Sequence, residues 1–410
     1  MEHVHTAVIG GGQAGLATSH ELTARGVEHV VLEAGRIGET WRTRRWRSFR
    51  IVSPNHFTHL PGFPYGGDPD AFAATDELVA YLERYAASFG APMRFGVRVQ
   101  AVRPADDGVG FALDTSAGPI ACEAVVLATG AFGHAKVPTI ASEVPSGIRS
   151  IHTDDYWAPE DLDPGGVLVV GAGQSGLQIA YELLATGREV TLAVGRHGWI
   201  PRRLHGRDQN WWRQQNGDFA SIVANPDAPT LDYPFTPLSR WGVVDFNPRT
   251  VWQAGARMTG HLVGFDGTTA RFAPDLREVL AAGDAYATTF IGRIRDFARG
   301  RGEDVDEHPL DSHWTAGEVP AETAALDLAA EGIRTVIWST GYRQDLSWIR
   351  VPGVLAPNGA PYGRQGISPV PGVHFVGLHR LWEGASGTLL GCGWGAAAVA
   401  EAIATRLRPG

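Results

Sequence analysis

Thr6-Ala7-Val8-Ile9-Gly10-Gly11-Gly12-Gln13-Ala14-Gly15-Leu16 runs from an apolar strand straight into a glycine-rich turn and then a helix. Each glycine of that turn has its own reason. Gly10 permits the tight turn, Gly12 lets backbone approach a pyrophosphate, and Gly15 lets helix and strand pack closely. The phosphate then lies against the positive N-terminus of the helix, Leu16–Thr23. A glycine pattern alone is weak evidence, and a purely structural turn is the competing reading. Here the next strand, His29–Leu32, ends in Glu33 at about the spacing where a carboxylate takes the ribose hydroxyls of a dinucleotide. Gly10, Gly12, Gln13, Ala14, Gly15 and Glu33 are therefore expected to bind a dinucleotide.

The pattern returns downstream. Strand Val167–Val170, turn Gly171-Ala172-Gly173-Gln174-Ser175-Gly176, helix Leu177–Ala185 and strand Glu189–Val194 repeat it, and so long a period signals two lobes. The second copy ends in Gly195-Arg196-His197, without an acid. A carboxylate there would repel a 2'-phosphate and an arginine would pair with it, so Gly171, Gly173, Gln174, Ser175, Gly176 and Arg196 are expected to bind NADPH. A merely solvated Arg196 is the other reading. Arg202 and Arg203 are secondary candidates.

At 410 residues the chain is long enough for two joined lobes, and 44% apolar residues describe a folded protein. The net charge of −9 contains no sustained basic run. The one cluster, Arg42, Arg44, Arg45, Arg47 and Arg50, is interleaved with Trp41, Trp46 and Phe49. It suits a phosphate-bearing cofactor better than nucleic acid. Only Cys122 and Cys392 are present, without Cys-x-x-Cys spacing, as a reducing cytoplasm favours. Met1–His5 leaves no room for a secretory signal, and the uncharged run Gly384–Ala400 reads as a loop followed by a helix starting near Gly393. No membrane partner is expected.

Between the two units come an irregular stretch 42–70, a helix Asp76–Ser88, short strands over Met93–Leu113, a turn over Leu113–Ile120 and an apolar strand Ala124–Ala128. Beyond the second unit, the Trp- and Pro-rich stretch 199–258 suits a lid or substrate wall, or a surface excursion. Helical stretches follow at Leu276–Leu280, Gly292–Arg299 and Ala396–Leu407, with a strand at Thr335–Ser339.

With both turns in place, the chain resembles the flavin-containing monooxygenases, which include plant indole-pyruvate monooxygenases and, more distantly, Baeyer-Villiger monooxygenases. The resemblance rests on the paired glycine turns, Gly38-Glu39-Thr40-Trp41, Leu60-Pro61-Gly62-Phe63-Pro64, Ala128-Thr129-Gly130, Ser339-Thr340-Gly341-Tyr342 and Pro371-Gly372-Val373-His374-Phe375-Val376-Gly377. It implies an α/β fold of two dinucleotide-binding (Rossmann-like) lobes. The FAD lobe is formed by residues 1–160 and 341–410, and the NADPH lobe, residues 161–340, is inserted between them. Trp41, Thr129 and Gly130 are then expected at the flavin, Val99 presents backbone to the adenine, and the segment around Gly341 joins the lobes.

The family fingerprint between the lobes is half kept. His152-Thr153-Asp154-Asp155-Tyr156 fits its end, whereas Gly147 is out of register. Baeyer-Villiger enzymes have Trp where Tyr156 stands, so heteroatom oxygenation is favoured, with Trp157 adjacent. The catalytic Asn of the animal enzymes falls on Val52 when counted back from Pro61. Asn55 is the nearby candidate, as a group on the oxygen side of the flavin or as a loop-structural Asn.

The resemblance implies that NADPH reduces FAD, which with O2 gives a C4a-hydroperoxide that oxygenates a small organic substrate at N, S or a related centre. A disulfide reductase shares the architecture but needs a redox Cys pair. An oxidase or a reductase serving a partner, and a catalytically silent flavin-binding protein, are the remaining alternatives. Gly173-Gln174-Ser175-Gly176 is not a nucleophile elbow, His56 and His59 lack metal-site partners, and Trp211-Trp212 reads first as core.

Overall fold

The computed structural model describes residues 2–106, 108–219, 246–303, 305, 320–378, 381 and 386–407. Its first sheet has the strand order Met93–Phe95, His29–Glu33, Glu2–Ile9, Ile120–Leu127, Phe111–Thr115, Val99–Pro104. The inner strands are parallel and covered on both faces, which explains why Val8, Val31, Val125, Val126 and Leu127 are fully buried in unbroken apolar runs. Strand Ile120–Leu127 has two partners on its far side. Its first half pairs antiparallel with Phe111–Leu113, and its second half pairs parallel with Val373–Phe375 from near the chain's end. The helix Gln13–Ala24 packs against the C-terminal helix Leu389–Leu407. The first lobe is thus built from both ends of the chain.

A second sheet, all parallel, has the order Arg257–Thr259, Val190–Ala193, Gly166–Val170, Ile333–Trp338, Arg149–His152. Its last strand lies ahead of residue 161 in sequence. Where the chain leaves the first lobe and where it returns, His134–Ala135 and Tyr342–Arg343 pair antiparallel as a two-stranded strap. The fold is the α/β arrangement of two dinucleotide-binding lobes, the second inserted into the first.

Both glycine-turn helices begin earlier than their apolar pattern, at Gln13 and Gln174, because the turn itself winds into the first helical turn. Two expected helical pieces at 276–280 and 292–299 are one helix, Leu276–Gly300. Its buried face runs through Leu276, Leu280, Ala287, Phe290, Ile291, Ile294 and Ala298. Gly283 interrupts the pattern only because His197 lies against it: a Cβ there would be 2.4 Å from His197 Nε2. The last helix likewise starts at Leu389, well before Gly393 or Ala396. Gly393 is a contact rather than a break, and its Cβ would be 3.2 Å from the Pro61 ring. Much of the Trp/Pro-rich stretch, residues 220–245, lies outside the described residues.

Gly15 sets the tightest contact of the first lobe. An added Cβ would stand 1.8 Å from Gly10 O, a backbone atom with no room to yield. Gly15→Ala is expected to destabilise the fold by roughly 2–3 kcal/mol or more through overpacking, read as a lowered thermal midpoint by calorimetry. A midpoint equal to wild type would contradict the observed approach.

Candidate functional site

The two glycine turns superpose in construction. Gly10 and Gly171 have φ of +112° and +107°, and a Cβ on either would come within 2.5 Å of a strand-end carbonyl, Ala128 O or Ser339 O. Gly10 N donates to Leu32 O and Gly171 N to Ala193 O, both at 2.9 Å. Gly15 and Gly176 press against the carbonyls of Gly10 and Gly171. Each helix has an extended glycine as its N-cap, Gly12 or Gly173, with no side chain capping it. Two helix N-termini therefore offer backbone N–H groups to an anion. A Cβ at Gly12 would meet nothing within 4 Å, so the space over the first turn is open. Both cradles fit the pyrophosphate of a dinucleotide.

The turns differ where a ribose is read. Glu33 accepts from Gly11 N at 2.5 Å and Gly35 N at 2.7 Å, which locks the carboxylate at the lip of the first turn. Each oxygen keeps a further lone pair for a hydroxyl. Val97 N donates to Glu33 O, so the backbone leading to Val99 runs beside this lip, and Val99 pairs with Thr115 in a hairpin. At the second turn the residue in register with Glu33 is the fully buried Val194, and Arg196, exposed, follows two residues later just past the strand Val190–Ala193. Gln174 and Ser175 open the helix beside it, half-buried.

Around the first turn, Trp41 Nε1 donates to Gln13 Oε1 at 2.8 Å, which ties the indole to the cradle. Ala14 is buried beneath Gly377, whose own Cβ would be 2.5 Å from Ala14 Cβ. The C-terminal motif thereby closes over the N-terminal one. Thr129 is exposed and Gly130 has φ +81°, immediately past the strand end that Gly10 touches. Gly341, φ +83°, accepts from Lys136 N and from His152, across the strap.

The arginine cluster is engaged within the protein rather than held for a phosphate. Arg42 pairs with Glu83, Arg47 with Glu160 and Arg50 with Glu77, while Arg44 donates to the carbonyls of Phe132 and Gly133. Arg45 is buried against the rings of Trp41, Phe49 and Phe132, and burial holds its guanidinium below its ordinary pKa. Arg202 is buried too, pairs with Asp208 and donates to Val52 O at 2.8 Å, and Arg203 faces Asp70. Neither belongs to the second turn. Trp212 is fully buried and donates to Leu204 O, as core packing predicts.

Asn55 is buried, and its amide donates to Asp68 O at 2.9 Å while its backbone N–H donates to Ala71 O. Both bonds tie Asn55 to its own loop, and its Oδ1 has no hydrogen-bond partner among the described residues. Among the described residues no group of three His, Cys, Asp or Glu side chains could hold a metal. Both cysteines are free and buried in separate elements, and burial pushes each thiol up to about 12. They form no redox pair.

Residues 7–208 match the family described as pyridine nucleotide-disulphide oxidoreductase. An uncharacterized oxidoreductase, CzcO-like, of Geobacillus kaustophilus is 29% identical over 96% of both chains. Indole-3-pyruvate monooxygenase YUCCA1 of Oryza sativa subsp. japonica is 26% identical over 93% of this chain and 84% of its own. A flavin-containing monooxygenase from Stenotrophomonas maltophilia shares the fold across the whole of both chains, with a TM-score of 0.69 at 22% identity. The chain is similar to indole-3-pyruvate monooxygenase YUCCA1 in sequence and to a flavin-containing monooxygenase in fold. It is an oxidoreductase.

With the first turn built this way, Gly12 and Gly15 should fail in different ways. Gly12→Val has room in the folded chain and projects only into the cradle. It is expected to melt within about 0.5 kcal/mol of wild type, as substitutions without a strain mechanism do, yet to purify with little or no FAD by absorbance. Full FAD occupancy would mean that the cradle is not the pyrophosphate site.

Proposed function

We propose that the chain is an NADPH-dependent FAD monooxygenase that inserts one atom of O2 into a small organic substrate. The observation that carries this reading is the pair of equivalent glycine cradles with opposite lips, Glu33 at one and Arg196 at the other. Glu33 suits the unphosphorylated ribose of FAD, and Arg196 the 2'-phosphate of NADPH. The absence of a cysteine pair separates the chain from the disulfide reductases that the family's description also covers.

Bound flavin supplies two-electron reduction by NADPH and transfer of one oxygen atom after reaction with O2. The chain's part is to bind, orient and exclude water. Gly10, Gly12, Gln13, Ala14, Gly15, Trp41, Val99, Thr129 and Gly130 hold FAD. Gly171, Gly173, Gln174, Ser175, Gly176 and Gly341 would hold NADPH. Dryness decides between oxygenation of substrate and loss of peroxide, and the apolar cluster of Phe57, Phe219 and Leu390, drawn from three separate segments, is a water-excluding element between the lobes. Asn55, two residues before Phe57, is the side chain assigned to the oxygen side. N- or S-oxygenation and a cytoplasmic location belong to the same reading. No helix among the described residues is long and apolar enough to cross a membrane.

Arg196→Ala removes a charge-assisted contact of about 1.5–3 kcal/mol, so the preference for NADPH over NADH in kcat/KM should narrow by about ten- to a hundredfold. An unchanged ratio would assign the phosphate to another residue. The oxygenase reading is tested by mixing the NADPH-reduced protein with O2. We expect a transient absorbance distinct from oxidised and reduced flavin, and less than one H2O2 per NADPH once amines or sulfides are supplied. Stoichiometric peroxide without a transient, across every substrate class tried, would make the chain an oxidase.

A further inference from the structure

Glu182 lies in the last turn of the helix Gln174–Ala185, whose first turn is the second cradle. It is only 7% exposed. Its Oε1 accepts from Ser48 Oγ at 2.5 Å, and its Oε2 accepts from Tyr156 Oη at 2.9 Å. Ser48 belongs to the first lobe, on the loop that continues from Trp41, and Tyr156 to the segment between the two sheets. One carboxylate therefore joins three parts of the chain.

Stability does not account for an acid there. A carboxylate near a helix C-terminus opposes the helix dipole, and burying it costs desolvation that a leucine of similar size would not. What the carboxylate supplies instead is direction. Two hydrogen bonds with narrow distance and angle preferences admit one arrangement of the helix on the Ser48 loop, whereas an apolar contact tolerates sliding. The loop is itself tied to the flavin cradle, since Trp46 and Phe49 stack edge to face in the core and Trp41 bonds Gln13.

We propose that Glu182 is a positioning residue, latching the NADPH-binding helix to the FAD lobe in the register that hydride transfer requires. The proposal rests on the flavin-monooxygenase reading. Glu182 takes no part in the redox chemistry itself; its carboxylate accepts from Ser48 and Tyr156 and so holds the helix in place.

The test compares the FAD-loaded full chain with Glu182→Leu, Glu182→Gln and Ser48→Ala. Anaerobic stopped flow gives the limiting rate of flavin bleaching by NADPH, titration gives NADP+ affinity, and hydrogen–deuterium exchange follows peptides 41–50 and 174–185. In Glu182→Leu the limiting rate should fall about tenfold, with NADP+ affinity and FAD content within about twofold of wild type, because a charge-assisted pair of hydrogen bonds is lost away from both cradles. Exchange should rise in both peptides. Glu182→Gln keeps an acceptor and should recover most of the rate, and Ser48→Ala should fall between. Wild-type rate and exchange in Glu182→Leu, or a rate loss explained by weaker NADP+ binding, overturns the proposal. If Glu182→Leu does not fold, unchanged rate and exchange in Ser48→Ala overturns it. A wild type that NADPH cannot reduce defeats the functional reading, while the exchange data still decide the latch.

Discussion

The approach of helix to strand at a residue with no side chain is the constraint on which the molecule rests. Where Gly15 meets the carbonyl of Gly10, and Gly176 that of Gly171, a Cβ would come within 1.8 and 2.0 Å of oxygen. Because the contact is that close, the helix starts directly over the end of the central strand. Its first N–H groups then point at whatever lies in the turn. The neighbouring strand ends close in from the other side, at Ala128 and Ser339, and force positive φ on Gly10 and Gly171. Two copies of one backbone solution thus present two helix N-termini that no side chain caps, and the residues flanking them differ, Glu33 at the first and Arg196 past the second.

The arrangement of the lobes depends on a different kind of contact. Within each lobe the packing is apolar, with valines and leucines of parallel strands sealed between helices. One buried apolar cluster also runs across both lobes, from Val8 and Trp46 to Val167 and Leu177, and directional contacts are added to it: Tyr342 donates to Asp154 Oδ1, His152 bonds Gly341 O, and Ser48 donates to Glu182. Apolar contacts hold a core together without fixing an angle; directional ones fix an angle at the cost of desolvation. The strap of residues 134–135 and 342–343 adds a hydrogen-bonded crossing at the point where both chain segments pass.

The sequence by itself determined the two glycine turns and their order, because those are local. A strand, a glycine turn and a helix lie within about twenty residues, and glycine is needed wherever backbone approaches backbone. It also excluded a redox cysteine pair, since two cysteines in unrelated segments could be counted. Only the tertiary structure decided what long-range contact controls. Gly283, Gly393 and Gly377 look like breaks in sequence, yet each is small because a distant residue, His197, Pro61 or Ala14, occupies the space. The arginines of 42–50 look free until Glu83, Glu160 and Glu77 arrive from elsewhere in the fold. Glu182 reads as an ordinary helix-surface acid, and nothing in its own neighbourhood of sequence announces Ser48, 134 residues away. Local backbone geometry is encoded by adjacent residues, whereas the partner of a buried charge is fixed only when separate segments close on one another.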